Sequence, residues 1–277
     1  MKTESPWLHH YAIFVAFCAL IAIAAGALVT SLARPLAGPI AAAAPAAINS
    51  AQFWHHMIGG VVVVLMLVLA IGRSTQLAWI GLGIGILDGV LGARAITNAL
   101  PQLAGILHAL LAQLFFGAIV AIAVVTSESW MRGPAPIDDT WRPSLGSLSV
   151  AVPAIILLQT MLGASYRYRT LGVIWHILNA MLVLLLILIV AVFLVRQFPQ
   201  HPTLRPASVT LAVITSIQVM LGFTTFMMLI LFPETSLAVV ITSVLHVATG
   251  SLTFAAGLAL AILIRYNIQG GRSLTGQ

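Results

Sequence analysis

Long apolar runs constrain this chain more than any other feature. Eight stretches, near 11–33, 53–72, 76–97, 103–125, 147–166, 171–195, 207–231 and 238–264, alternate with short polar breaks. Each is long enough to cross a bilayer as a helix, which takes about 20 apolar residues. Of 277 residues, 61% are hydrophobic and 6% charged, where a soluble domain carries roughly a quarter charged. So few charges cannot cover a water-facing surface. The expected fold class is therefore an all-α integral membrane protein with eight transmembrane helices. A net charge of +6 and a pI near 10.5 would suit nucleic acid if the basic residues clustered. They are scattered between apolar runs, as the positive-inside rule expects. The one cysteine, Cys18, excludes a disulfide and any cysteine-based zinc or iron–sulfur set. The first run is too long for a signal-peptide core and is expected to stay as a helix.

With eight spans both termini face one side. Placing them in the cytoplasm puts Lys2, Arg73, Arg132, Arg142, Arg196, Arg205, Arg265 and Arg272 inside, and leaves Arg34, Arg94, Arg167 and Arg169 outside. The longest inner break, 127–146, then acts as a cytoplasmic linker between two four-helix halves, 1–126 and 147–277. The halves resemble each other. LDGVLG (87–92), LQTMLG (158–163) and IQVMLG (217–222) place a polar residue three positions before a Leu-Gly pair, and IAIAAG (21–26) is a weaker echo. Each precedes an outer loop and a helix carrying histidine, which predicts two parallel repeats, each a four-helix bundle.

Those histidines are His55, His108, His176 and His246, one on each even-numbered run and three to nine residues into it. At 1.5 Å per residue, all four lie within roughly 15 Å of the outer boundary. Ionisable groups inside spans are rare and usually functional. Four residues on, one turn deeper on the same face, stand Gly59, Ala112, Ala180 and Gly250. Small residues there suit close helix packing, or leave room beside the imidazoles for a flat macrocycle. Zinc requires three or four converging ligands, and neither a carboxylate nor a thiol neighbours these histidines in sequence. Haem needs two. The expected axial pairs are His55 with His108 and His176 with His246. Arg94, Arg167 and Arg169, on the outer side, are candidate partners for haem propionates. Asp88, the one carboxylate deep in a span, holds the repeat position of Gln159 and Gln218; it is either functional or a protonated packing residue. His9, His10 and His201 are expected at the inner interface, and Trp54, Trp130 and Trp141 in an aromatic belt.

Taken in order, the eight spans, the histidine on each even helix, GILHALLA (105–112), HVATG (246–250) and the L-Q-x-x-L-G segments make the whole chain resemble the haem A synthases of aerobic bacteria and mitochondria. The resemblance implies a membrane oxidoreductase of haem biosynthesis, converting the methyl of haem O to the formyl of haem A by successive hydroxylation and dehydration. Electrons would be delivered from outside the site by a donor the sequence does not identify. His55 and His108 would hold haem O or haem A, and His176 and His246 a haem b cofactor. The chain would sit in the bacterial cytoplasmic (inner) membrane, beside haem O synthase or a respiratory or photosynthetic complex. The family has E-x-x-H-R at the start of the second helix; here the residues are Gln52-Phe53-Trp54-His55-His56. Gln52 thus stands for the glutamate and His56 for the arginine, at the positions expected to take part in the chemistry. Two functional classes follow: a haem A synthase-like enzyme, or a catalytically silent di-haem b cytochrome or haem-binding subunit of an electron-transfer complex.

Overall fold

The computed structural model describes residues 6–33, 44–73, 75–95, 101–234 and 236–275. Among them the regular structure is all helical: α1 (Pro6–Leu32), α2 (Ala44–Arg73), α3 (Gln76–Ala95), α4 (Pro101–Val125), the single turn α5 (Glu128–Met131), α6 (Leu145–Arg167), α7 (Val173–Gln197), α8 (Leu204–Leu231) and α9 (Leu237–Thr275). All but α5 are long and apolar enough to span a membrane. The chain is an all-α integral membrane protein. Hydrocarbon offers no water to a peptide group, so each span satisfies its own N–H and C=O groups as a helix.

The packing is arranged for lipid. Val61, Val64, Val68 and Ile71 of α2, and Leu182, Leu185, Ile189 and Val192 of α7, face outward. Such a surface would associate in water, but acyl chains cover it. Small and hydroxyl side chains face inward instead, among them Ala12, Ala19, Ala70, Ala78, Ser208 and Thr215, and let the helix backbones approach closely. One buried cluster is drawn from α1–α4 around Val15, Met66, Leu69, Ile119 and Ile122. A second is drawn from α6–α9 around Leu145, Ile187, Leu194, Leu204 and Leu260.

Helices α1 to α4 pack in sequence and close through α1 against α4; α6 to α9 do the same, closing through α6 against α9. The rings meet where α1 packs on α9, α4 on α6 and α4 on α9. Exchanging α1 with α6 and α4 with α9 reproduces the same set of pairs. Beside the central α4–α9 contact, Gln113 Nε2 donates to Ser251 Oγ at 2.8 Å, both buried.

Two boundaries differ most from expectation, beside an α1 that starts at Pro6 rather than near 11. The second helix begins at Ala44, not near 53, because the Ala-rich segment before QFWHH is helical. Alanine is the strongest helix former, and Pro45 lies in the first turn, where a missing N–H leaves nothing unsatisfied. His55 therefore sits about three turns inside α2 rather than near its start. The last helix runs to Thr275, not 264. Its extension seats the linker between α4 and α6: Tyr266 stacks on Trp130 at 3.8 Å, and the Ala135 and Ile137 amides donate to Asn267 Oδ1 and O at 2.7 and 3.3 Å. Asp139 then accepts from the Leu145 and Gly146 amides at 2.6 and 3.0 Å, capping α6.

Candidate functional site

The four histidines meet in the expected twos. The His55 and His108 ring centres lie 6.0 Å apart with planes at 78°. Those of His176 and His246 lie 6.1 Å apart at 84°. Two imidazoles sharing one metal, each bonded at about 2 Å, also have centres about 6 Å apart. An edge-to-face ring contact has the same spacing. The hydrogen bonds at each ring therefore carry more information than the distance.

Every imidazole rests on a glycine of the preceding helix. A Cβ added at Gly26, Gly92, Gly163 or Gly222 would fall 2.9, 2.8, 2.9 or 2.9 Å from Cε1 of His55, His108, His176 or His246 respectively. These are the glycines that close IAIAAG, LDGVLG, LQTMLG and IQVMLG. One turn earlier on the same helix face stand Ala22, Asp88, Gln159 and Gln218, and each reaches its histidine. His55 Nδ1 donates to the Ala22 carbonyl at 3.0 Å. His108 Nδ1 donates to the Asp88 carbonyl at 3.2 Å, with Asp88 Oδ1 closer, at 2.8 Å, but off the N–H direction. Oxygen acceptors fix the proton on Nδ1 in both rings, which leaves the Nε2 lone pair free. A metal-bound imidazole has this arrangement.

The second pair is held by amides. Asn179 Nδ2 donates to Gln159 Oε1 at 2.8 Å, which turns the Gln159 NH₂ toward His176. It lies 3.1 Å from Nδ1 and 3.3 Å from Nε2, and donates to the His176 carbonyl at 3.0 Å. Gln218 Nε2 stands 3.4 Å from His246 Nε2, while His246 Nδ1 and Gln218 Oε1 are buried without partners. With Nε2 facing the amide donor of Gln218, the His246 proton sits on Nδ1, which is left without an acceptor.

The small residues below the histidines divide. Gly59 faces open space, whereas a Cβ at Gly250 would meet the Gln218 amide nitrogen at 3.0 Å. Gly250 therefore admits Gln218, not extra volume. Ala112 and Ala180 are half-buried. Gln52 is half-buried one turn outward of His55, and His56 is exposed with its ring 5.8 Å from that of His55. Arg167 Nη2 donates to Ala27 O at 2.6 Å and to Ser31 Oγ, tying α6 to α1. Arg169, at φ 58, pairs with Glu234 at 3.4 Å on the rim. The Arg94 side chain lies outside the described residues. His9 bonds Ala123 O at 2.9 Å, and His201 is a cap for α8. Neither approaches the pairs.

No group of three or more His, Cys, Asp or Glu converges among the described residues. Asp88 does reach a histidine in space, unlike in sequence, but from Nδ1, behind the nitrogen left for a ligand. The first pair thus offers two free Nε2 lone pairs, while in the second the Gln159 and Gln218 amides stand at the ring nitrogens. Two imidazoles are the donor set that a metal already held in a planar ring takes from a protein. The sequence marked the motifs ending in Gly26, Gly92, Gly163 and Gly222 as a repeat without assigning the glycines a role, and it missed Asn179. The signal was present as Asp88, Gln159 and Gln218, each four residues before a glycine on the helix preceding a histidine. No family model matches the chain, and no curated protein matches it.

Proposed function

We propose that this chain is a haem-binding membrane oxidoreductase of the haem A synthase type. In this reading His55 and His108 hold the haem whose methyl is oxidised, and His176 and His246 hold a haem b. The observation that carries it is the shared support of the histidines: four imidazoles, each seated on a glycine and touched by the residue one turn before it, brought together as two pairs. Helix packing alone has no need to place ring on ring twice in one chain. A bound haem supplies redox-active iron and the methyl that is oxidised. The protein's own contribution is to orient and exclude. Ala22 and Asp88 fix the proton on Nδ1 of the first pair. Arg167, half-buried at the end of α6, and Arg169, on the rim, are the described cations nearest the second pair in sequence and remain the candidates for a propionate, each already bonded within the protein. This reading places the chain in a bacterial inner membrane with both termini cytoplasmic and an external electron donor.

Gln52 favours a second reading, a di-haem b cytochrome or haem-binding subunit. On α2, positions 52 and 55 share a face. A glutamate there could take a proton or hold a water beside the haem edge. Glutamine keeps the shape and both kinds of hydrogen bond but cannot take a proton. The test is expression with a haem O source in a host lacking its own synthase, then extraction and chromatography of the haems. For the enzyme, haem A accompanies haem b and rises in Gln52→Glu/His56→Arg. Haem b alone in parent and variant identifies the cytochrome. A chain that carries no haem sinks both readings.

A further inference from the structure

Ala22, Asp88, Gln159 and Gln218 occupy one repeat position, one turn before the glycine under each histidine, and only Asp88 among them is ionisable. A carboxylate in a span is costly and needs compensation. Asp88 is 9% exposed, and its Oδ1 lies 2.8 Å from His108 Nδ1. That oxygen makes no regular hydrogen bond, and neither lysine nor arginine pairs with it among the described residues. The imidazole is its single close polar partner. The other pair has neutral amides in the same two places, turned so that Gln159 presents N–H groups to its ring.

We infer that Asp88 is a positioning residue that makes the two histidine pairs electronically unequal, biasing an iron between His55 and His108 toward its oxidised state relative to one between His176 and His246. The inference rests on the haem reading above. A carboxylate behind Nδ1 pushes electron density to Nε2 and makes His108 the stronger donor, and the higher-charged iron gains more from a stronger donor. The neutral amides of Gln159 and Gln218 carry no charge and give the second pair no such push. The same groups fix the rings, so one repeat position sets both orientation and donor strength. Asymmetry of this kind gives electrons a preferred direction between two otherwise similar sites.

The test is a potentiometric titration of the purified, haem-loaded protein, followed optically, with haem content measured in parallel. Two midpoints are expected. Asp88→Asn keeps the size and a hydrogen-bonding oxygen, and should raise the lower midpoint alone. The expected change is about tenfold in the ferric-to-ferrous affinity ratio, which is 59 mV for one electron. Gln218→Glu places a carboxylate at the equivalent position of the other pair and should lower the higher midpoint. It also serves if Asp88→Asn fails to fold. A merely structural Asp88 would lower haem content and leave the midpoints in place. Two bound haems whose midpoints ignore the substitutions overturn the inference and leave the haem reading standing. A parent that takes up no haem, as purified or with haemin added, overturns both.

Discussion

At the residue scale, the decisive contacts are between glycine and histidine. Gly92 has a place only because the His108 ring occupies the volume where its side chain would stand, and the same holds at Gly26, Gly163 and Gly222. Even a methyl group must push the ring away from its Nδ1 partner. Gly92→Ala is expected to cost about 1–3 kcal/mol, the usual range for overpacking. Gly59 has nothing within 4 Å of its missing Cβ, so Gly59→Ala should be within about 0.5 kcal/mol of the parent, like a surface change. Thermal unfolding of the two variants in detergent gives the comparison. Equal losses would mean that the rings are not held on their glycines.

At the element scale, His201 joins the start of α8 to the linker between α4 and α6. Its Nδ1 accepts from the Leu204 amide at 3.1 Å, at the start of α8. Its Nε2 faces the Ala135 carbonyl in the linker at 3.1 Å. The ring thus caps one helix and holds the connection between the two sets of four. Removing it in His201→Ala should cost about 1 kcal/mol, the usual value of a cap or a hydrogen bond, and leave the histidine pairs untouched. Burial pushes the His201 imidazole below its ordinary value, against the opposing pull of the Ala135 carbonyl. A folded value below the unfolded one makes this contribution complete above about pH 6.5 and erodes it as pH falls. Protonation would also remove the Nδ1 acceptor. The parent should therefore lose melting temperature faster than His201→Ala between about pH 7 and pH 5. Parallel slopes would show that His201 does not carry this dependence.

At the scale of the whole molecule, contacts sort the loops to two ends. The linker, the α7–α8 turn and the end of α9 meet through Ala135, His201 and Asn267. The α6–α7 and α8–α9 turns meet at the other end through Arg169 and Glu234. The histidine pairs lie toward this second end, the one expected outside from the distribution of arginine and lysine. A reporter active only beyond the cytoplasm should give signal when inserted within 96–100 and none when fused after Arg272. The reverse pattern would place the pairs on the cytoplasmic side and overturn the expected topology.

What the sequence by itself determined is what depends on local composition. Eight helical spans follow from run length, because hydrocarbon tolerates no unpaired backbone. The four histidines stood out because imidazoles within spans are expensive. Their pairing was legible from the repeat, since alternate helices of a parallel repeat bring like depths together. Helix ends were less legible: the alanines before Gln52 read as loop by composition but extend α2, and residues after 264 read as tail but continue α9 to seat the linker. The tertiary structure alone decided what lies against what. Leu-Gly at 91–92 and 162–163 is common in membrane helices, and only the crossing of α3 with α4 and α6 with α7 turns each glycine into a seat for a ring. Asp88 and His108 are twenty positions apart, and no local rule sets that contact, because it depends on the rotation of two helices about their own axes. That rotation is fixed by the summed packing of many weak contacts along the whole length of both helices, not by the residues that meet.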